Sequence, residues 1–265
     1  MLRLFTLPLV FLALMVMSVA GALILPLSPA GALKAASSSE TLFALRLSLV
    51  TSLTATAAAF ILGVPSGYVL ARRRFPGKAV LDTFLDLPLV ITPLIAGVGL
   101  LFLFGESGLG GALSKLGIQV LFTPLGAVAA QTFIAAPIIT RSSRAAFESL
   151  SPSYEWAGQT LGLRPSQVFF KITLPMARHG ILSGTVLAWA RAVGEFGATL
   201  MVAGATRFRT ETLPIAVYLN ITTGELEVAL SAALILMLAG FGMVLLLKAL
   251  GDSAPDPISR KRRSA

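Results

Sequence analysis

Residues 228–247 read VALSAALILMLAGFGMVLLL, twenty residues with no charge and no alternation of apolar and polar positions. A strand of a lipid-facing barrel alternates in character over about ten residues, so this stretch reads as a helix. It is also long enough to cross a bilayer, whose hydrocarbon core takes about 20 helical residues. Working outward, similar stretches lie at about 4–27, 43–70, 80–104, 121–140 and 180–203, and the quoted one extends over 228–248. The whole chain agrees, because 55% of its 265 residues are hydrophobic and only 12% are charged, against roughly 25% charged in soluble domains. The expectation is an all-α membrane protein of six transmembrane helices in a single domain over 1–265. Runs rich in Gly, Ala, Ser and Thr, such as Thr51 to Ala59, suit a closely packed bundle, since small residues let helices approach.

Lys and Arg set the orientation, because they collect in cytoplasmic loops. With the N-terminus inside, one side gathers Arg3, Arg72, Arg73, Arg74, Lys78, Arg141, Arg144, Arg164, Lys171 and Arg178. Lys248, Arg260, Lys261, Arg262 and Arg263 fall on that side too, while the other side holds only Lys34, Lys115, Arg207 and Arg209. Both termini are therefore expected to be cytoplasmic, in a multi-pass protein of the cell (inner, cytoplasmic) membrane. The net charge of +9 is then a topology signal, and no nucleic-acid partner is expected, even for Arg260–Arg263. The first segment resembles a secretory leader in having Arg3 before its apolar run. Leaders carry an apolar core of about 7–15 residues, so this longer run is read as a retained span, with cleavage, which would leave five spans, as the open alternative.

Several chemistries are excluded by composition. The chain has no Cys and a single His, His179, which leaves no thiol nucleophile and no multi-histidine or thiolate metal site. No catalytic residue and no metal ligand is expected. Pro76-Gly77-Lys78-Ala79 lacks the first Gly and the Ser or Thr of a phosphate-binding loop.

The connection after the fourth stretch, 151–175, reads SPSYEWAGQTLGLRPSQVFFKITLP. Ser151 is suited to cap a helix, and Pro152 to open one. Gly162 is a helix stop, and Arg164-Pro165 starts a second short helix before Leu174-Pro175 leads into the fifth span. Val168, Phe169 and Phe170 are too apolar to face only water, so they must pack under the bundle or against another protein.

This segment resembles the "EAA" loop of ABC-importer permeases, in which a Glu-Ala-Ala cluster leads to Gly, then nine residues, then Ile-x-Leu-Pro. Gly162, Ile172, Leu174 and Pro175 fit that spacing. At the other end Trp156 stands where the family has Glu, Ala157 and Gly158 stand at the two Ala positions, and Glu155 comes one residue early. A second stretch, WARAVGEFGAT at 189–199 with ETLPIAVY at 211–218, is similar to the molybdate/tungstate permeases and their sulfate-permease relatives. LPLV at 87–90, Pro93 and FPGK at 75–78 also suit that branch. The resemblance implies the pore-forming subunit of an ATP-driven oxyanion importer, molybdate or tungstate first and sulfate or thiosulfate as the alternative. It also implies docking of 151–175 onto ABC ATPase subunits, a periplasmic or extracytoplasmic oxyanion-binding protein above, and a second copy of the chain beside it. No cofactor is expected on this chain itself, ATP and Mg being used by the partner ATPase. A secondary transporter without an ATPase remains open, but it leaves the loop without a role.

Ionisable residues inside spans are costly and usually face protein or water. Arg191 and Glu195 are four apart and expected to pair, with Gly194, Gly197 and Thr199 as neighbouring pore or helix-packing candidates. Asp82 and Asp86 are expected to answer Arg72–Arg74, and Arg46 to snorkel to the interface. Glu106, Glu211, Glu225 and Glu227 read as solvated charges of outer loops.

Overall fold

A computed structural model describes residues 2–252, and among them there are helices and connections but no strand. Arg260–Arg263 lie outside the described residues, as does the side chain of Arg3. In chain order the helices begin with α1 (Leu2–Ile24), α2 (Pro29–Ala36), α3 (Ser39–Arg72), α4 (Lys78–Val90) and α5 (Pro93–Leu103). Next come α6 (Leu109–Lys115), α7 (Pro124–Glu148), α8 (Ser153–Thr160), α9 (Pro165–Val168) and α10 (Leu174–Val193). The last are α11 (Gly197–Ala203), α12 (Leu213–Thr223) and α13 (Leu226–Asp252).

Among the described residues, three helices are individually long and apolar enough to cross a membrane, at Thr6–Ile24, Ser39–Arg72 and Leu226–Ala249. Two more of the expected spans are broken rather than straight. The 80–104 stretch is α4 and α5, bent by 114°, and the 180–203 stretch is the end of α10 and α11, bent by 61°. Pro93 causes the first break: the residue before a proline is driven out of the helical region, and Thr92 is extended at φ −64°, ψ 143°. The 121–140 stretch belongs to α7, which is not among the helices apolar enough to qualify by themselves. Its polar Gln131, Thr140 and Ser143 are buried against protein, and a helix enclosed by other helices need not be apolar all round.

The described residues divide into two compact units, one running to Ser48 and including Ala205–Ala239, the other comprising Leu49–Gly204 and the described residues from Gly240 on. The first has a small core of Ala44, Leu213, Ala216 and Ala232. The N–H of Leu213, at the start of α12, donates to the Ser48 hydroxyl at 2.7 Å. α1 is exposed along most of its length within the chain.

The second unit is built around α7, which packs most extensively on α10 and also on α11, α4 and α5. Its core joins Phe147, Ile139 and Ile181 to Ala59, Val64, Ala135 and Ala188. Small residues set the close approach. A Cβ on Gly63 would sit 3.0 Å from Ile139 Cγ2, and one on Gly67 would sit 2.8 Å from the Thr140 carbonyl oxygen. From α10, a Cβ on Gly180 would meet Ala146 Cβ at 2.7 Å, and one on Gly184 would collide with Ser142. Both pairs are four residues apart, so each lays one bare stripe of helix against α7.

Asp82 and Asp86 do not answer Arg72–Arg74. α4 lies along α7 instead, where Asp82 pairs with Arg144 at 2.5 Å and Asp86 with Arg141 at 3.4 Å. The aspartates are nearer in sequence to Arg72–Arg74, but the turn at 73–77 leads α4 onto α7 and its basic end.

Candidate functional site

The loop 151–175 folds as the bent pair of short helices that its sequence predicts, with sharper internal bonding. α8 closes in a Schellman motif: the Leu163 N–H donates to the Gly158 carbonyl at 3.1 Å and the Gly162 N–H to that of Gln159 at 2.9 Å. Gly162 takes φ +85° there, which a residue without Cβ adopts freely. Ser151 does not cap α8 as expected: Pro152 is the N-cap, without a side-chain cap, and the Ser151 hydroxyl bonds Ser153 Oγ at 2.8 Å instead. The Arg164 N–H donates to Gln167 Oε1 at 2.9 Å and fixes the start of α9. A π-helical turn, Phe169–Thr173, then carries the chain into α10 at Leu174 and Pro175.

Two attachments hold α8. At its last turn, Gly158 is buried so closely that a Cβ would lie 2.7 Å from Ile172 Cδ1 and 3.2 Å from Val168 Cγ2. At its first turn the Glu155 carboxylate accepts from Arg72 Nε at 2.8 Å and from the Tyr68 hydroxyl at 3.3 Å. Arg72 also donates from Nη2 to the Leu150 carbonyl at 3.1 Å. The Arg72 and Glu155 side chains are only 13% and 12% exposed, so this ion pair is largely withdrawn from water. Tyr68 and Arg72 are four apart on α3 and present one face, and the Tyr68 ring stacks edge-on against Phe147 and Phe169 at 5.3 and 4.8 Å.

The other side of α8 faces outward. Trp156 is 66% exposed, Tyr154 52% and Leu161 84%; Ala157 and Gly162 are exposed as well. Of the apolar trio, Val168 is buried and Phe169 half-buried, while Phe170 is 66% exposed. An inward-facing Glu155 beside an outward-facing Trp156 is the arrangement that the displaced Glu of the sequence produces.

At the second expected site, Arg191 Nη1 lies 2.7 Å from Glu195 Oε2. Glu195 Oε1 accepts the N–H of Ala198 at 3.0 Å, so the carboxylate caps the first turn of α11 where α10 stops. Glu195 is 1% exposed and Thr199 fully buried, whereas Gly194 is exposed. Gly197 lies against the start of α5, its notional Cβ 3.1 Å from the Leu94 nitrogen. α5 and α11 continue in contact at Gly97, where a Cβ would meet Met201 Cβ at 2.7 Å. The second halves of both broken spans are thus packed together, with Gly197 and Gly97 at the points of closest approach.

The loops read from sequence as outer hold one departure from expectation. Glu211 is not a solvated charge but fully buried. Its Oε2 accepts the Phe208 N–H at 3.1 Å, and Glu40, on the first turn of α3, lies beside it. Burial, and next to it the neighbouring Glu40, push the Glu211 carboxyl up to about 7, against the pull of the Phe208 N–H and Arg207. Arg207 faces Glu40 at 3.6 Å and Glu225 at 3.8 Å, and Asn220 Nδ2 donates to Glu40 Oε1 at 2.8 Å.

Sequence reading missed Arg72 and Tyr68 as partners of the loop. Their spacing of four at the end of α3 was visible, but nothing in it named Glu155 across more than eighty residues of chain.

Residues 63–254 match the family described as binding-protein-dependent transport system inner membrane component. The molybdenum transport system permease protein ModB of Mycobacterium tuberculosis is 40% identical over 222 residues, 83% of this chain and 81% of that protein. A sulfate transport system permease protein, CysW of Synechocystis, is 38% identical over 196 residues, covering 74% and 71%. A probable molybdenum ABC transporter permease protein of Haloferax volcanii is 36% identical over 233 residues, covering 88% and 84%. Among solved structures, a bacterial ABC transporter importing alginate aligns with TM-score 0.70 over 87% of this chain and 85% of that chain, at 16% identity. The methionine ABC transporter MetNI, in an inward-facing form, aligns with TM-score 0.59 over 77% and 93%, at 18% identity.

Proposed function

Because the chain belongs to the binding-protein-dependent transport system inner membrane component family, we propose that it is the pore-forming subunit of an ATP-driven oxyanion importer with molybdate as cargo. It is a multi-pass protein of the inner membrane. The observation that carries the cargo is the 40% identity to a molybdenum permease across four-fifths of both chains. The coupling role rests on the loop 151–175, where Tyr154, Trp156, Leu161 and Phe170 are exposed on a segment whose opposite side is anchored. Such a cluster of apolar and aromatic side chains is a partner surface. Its partner in this reading is a separate ABC ATPase subunit, which would bind and hydrolyse ATP with Mg; this chain carries no nucleotide site of its own and is not an enzyme.

The full assembly in this reading pairs two copies of the chain around the pathway, with an oxyanion-binding protein on the outside and both termini in the cytoplasm. ATP-driven movement of the two coupling loops then rocks packed helices between two arrangements. A second cargo, sulfate, is favoured by the 38% identity to a sulfate permease.

The test is uptake into vesicles that contain this chain with its ATPase and binding protein. ATP-dependent molybdate uptake, outcompeted by excess tungstate but not by excess sulfate, is the expected result. Faster sulfate uptake would move the assignment to the second reading, and uptake that persists with no ATPase present would overturn the coupling role.

A further inference from the structure

We propose that the Glu155–Arg72 ion pair is the joint through which α8 moves α3, which makes both of them positioning residues for coupling. The inference rests on the reading of 151–175 as the ATPase-coupling loop and goes beyond it by assigning where the motion enters the bundle.

α8 has eight residues and cannot transmit a displacement by itself; what it moves depends on what it is fastened to. Its two fastenings differ in kind. Gly158 rests against Val168 and Ile172, side chains of the same loop, so that contact only keeps the loop together. Glu155 reaches out of the loop to Arg72 at 2.8 Å and to Tyr68 at 3.3 Å, both on α3. Arg72 is also bonded to Leu150, two residues past the end of α7. One guanidinium therefore joins the first turn of α8, the connection leaving α7 and the last turn of α3.

The pair is suited to carry force. Both side chains are largely buried, so breaking it in place leaves a charge with little water to replace its partner. Arg72 is held by a planar fork bonded in two directions, which fixes its orientation as a lysine would not. The Tyr68 hydroxyl bonds the same carboxylate while its ring is wedged between Phe147 and Phe169. α3 itself runs from Ser39 to Arg72 as one helix of 34 residues, about 50 Å at the usual rise. A displacement of α8 applied at Arg72 thus acts on the end of a lever that crosses the membrane. Trp156, the next residue along, is 66% exposed, so adjacent positions on one short helix face the partner and the lever respectively.

The experiment uses the complete transporter in vesicles, with ATPase association, ATP hydrolysis and molybdate uptake measured on the same preparations. Glu155→Gln and Arg72→Gln are expected to keep the ATPase bound within about twofold but to lower uptake per ATP hydrolysed about tenfold, the scale of coupling changes from single residues. The charge-swapped pair, Glu155→Arg with Arg72→Glu, is expected to recover a large part of that loss. Tyr68→Phe removes only the longer bond and should lower the ratio less; it serves where a charge variant does not assemble. Loss of ATPase binding in Glu155→Gln would make Glu155 a docking contact and overturn the proposal, as would an unchanged ratio or a swap that assembles but recovers nothing. If the unaltered chain binds no ATPase, the underlying reading of the loop fails instead, so the two failures are distinct.

Discussion

The Arg191 guanidinium lies 2.7 Å from the Glu195 carboxylate across the end of α10, and the same carboxylate accepts the Ala198 N–H that opens α11. A single side chain thus neutralises an arginine within a membrane span and restarts the helix after the 61° break.

Glu195→Ala is therefore expected to cost about 2 kcal/mol, since it uncaps α11 and unpairs Arg191, whose side chain is 39% exposed. Glu195→Gln keeps an acceptor for the Ala198 N–H and should cost less. Replacing both Arg191 and Glu195 by leucine should be milder than Glu195→Ala, because no charge is left unpaired. Chemical denaturation in detergent, following tryptophan fluorescence, orders the three.

Glu211 gives the protein a pH dependence of defined sign. Its carboxyl is raised from 4.5 to about 7 in the folded chain, so the folded state binds the proton more tightly than the unfolded one. The resulting stability is complete below pH 4.5, declines as pH rises and is lost above about 7. A shift of this size corresponds to at most ~3 kcal/mol. Glu211→Gln keeps the acceptor for Phe208 and should flatten this part of the profile. Melting temperature between pH 5 and 8 reads it, and an unchanged slope would refute the assignment.

Gly162 has nothing within 4 Å of its notional Cβ but sits at φ +85°, so any penalty there is one of backbone conformation alone. Gly162→Ala is expected to cost about 1–2 kcal/mol, and Gly162→Asn less, since asparagine tolerates that region. Comparing the two melting curves separates backbone strain from steric clash.

Trp156→Ala should leave the melting temperature unchanged, because two-thirds of the side chain is exposed in the isolated chain. ATPase binding should fall by about 2 kcal/mol, roughly thirtyfold, as for an aromatic anchor of an interface. Titration of the purified ATPase onto the chain in nanodiscs measures the difference. Gly158→Ala is a control in the same assay: the flexible tip of Ile172 must shift and Val168 Cγ2, at 3.2 Å, must give by a few tenths of an ångström, so a modest effect is expected.

The sequence by itself determined the class of the molecule. Apolar runs such as 228–247 can only be buried in lipid or protein as helices, and the family resemblance lay in ordered residues such as Gly162 and Ile172 to Pro175. Helix stops at Gly162 and the i,i+4 pair of Arg191 and Glu195 were equally legible, since both follow from local geometry along one helix. What only the tertiary structure decided is which distant groups meet. Asp82 and Asp86 took Arg144 and Arg141 rather than the nearer Arg72–Arg74, which left Arg72 to Glu155. Glu211 left the solvated class altogether when the loop before α12 folded it in beside Glu40. The straightness of the spans at 80–104 and 180–203 was also undetermined, because hydropathy measures transfer into lipid and is blind to a change of helix direction. The physical reason is common to all of these. Transfer energy and helix period are properties of adjacent residues, whereas pairing and burial depend on how α7 brings α3, α4 and α10 within a few ångströms of one another.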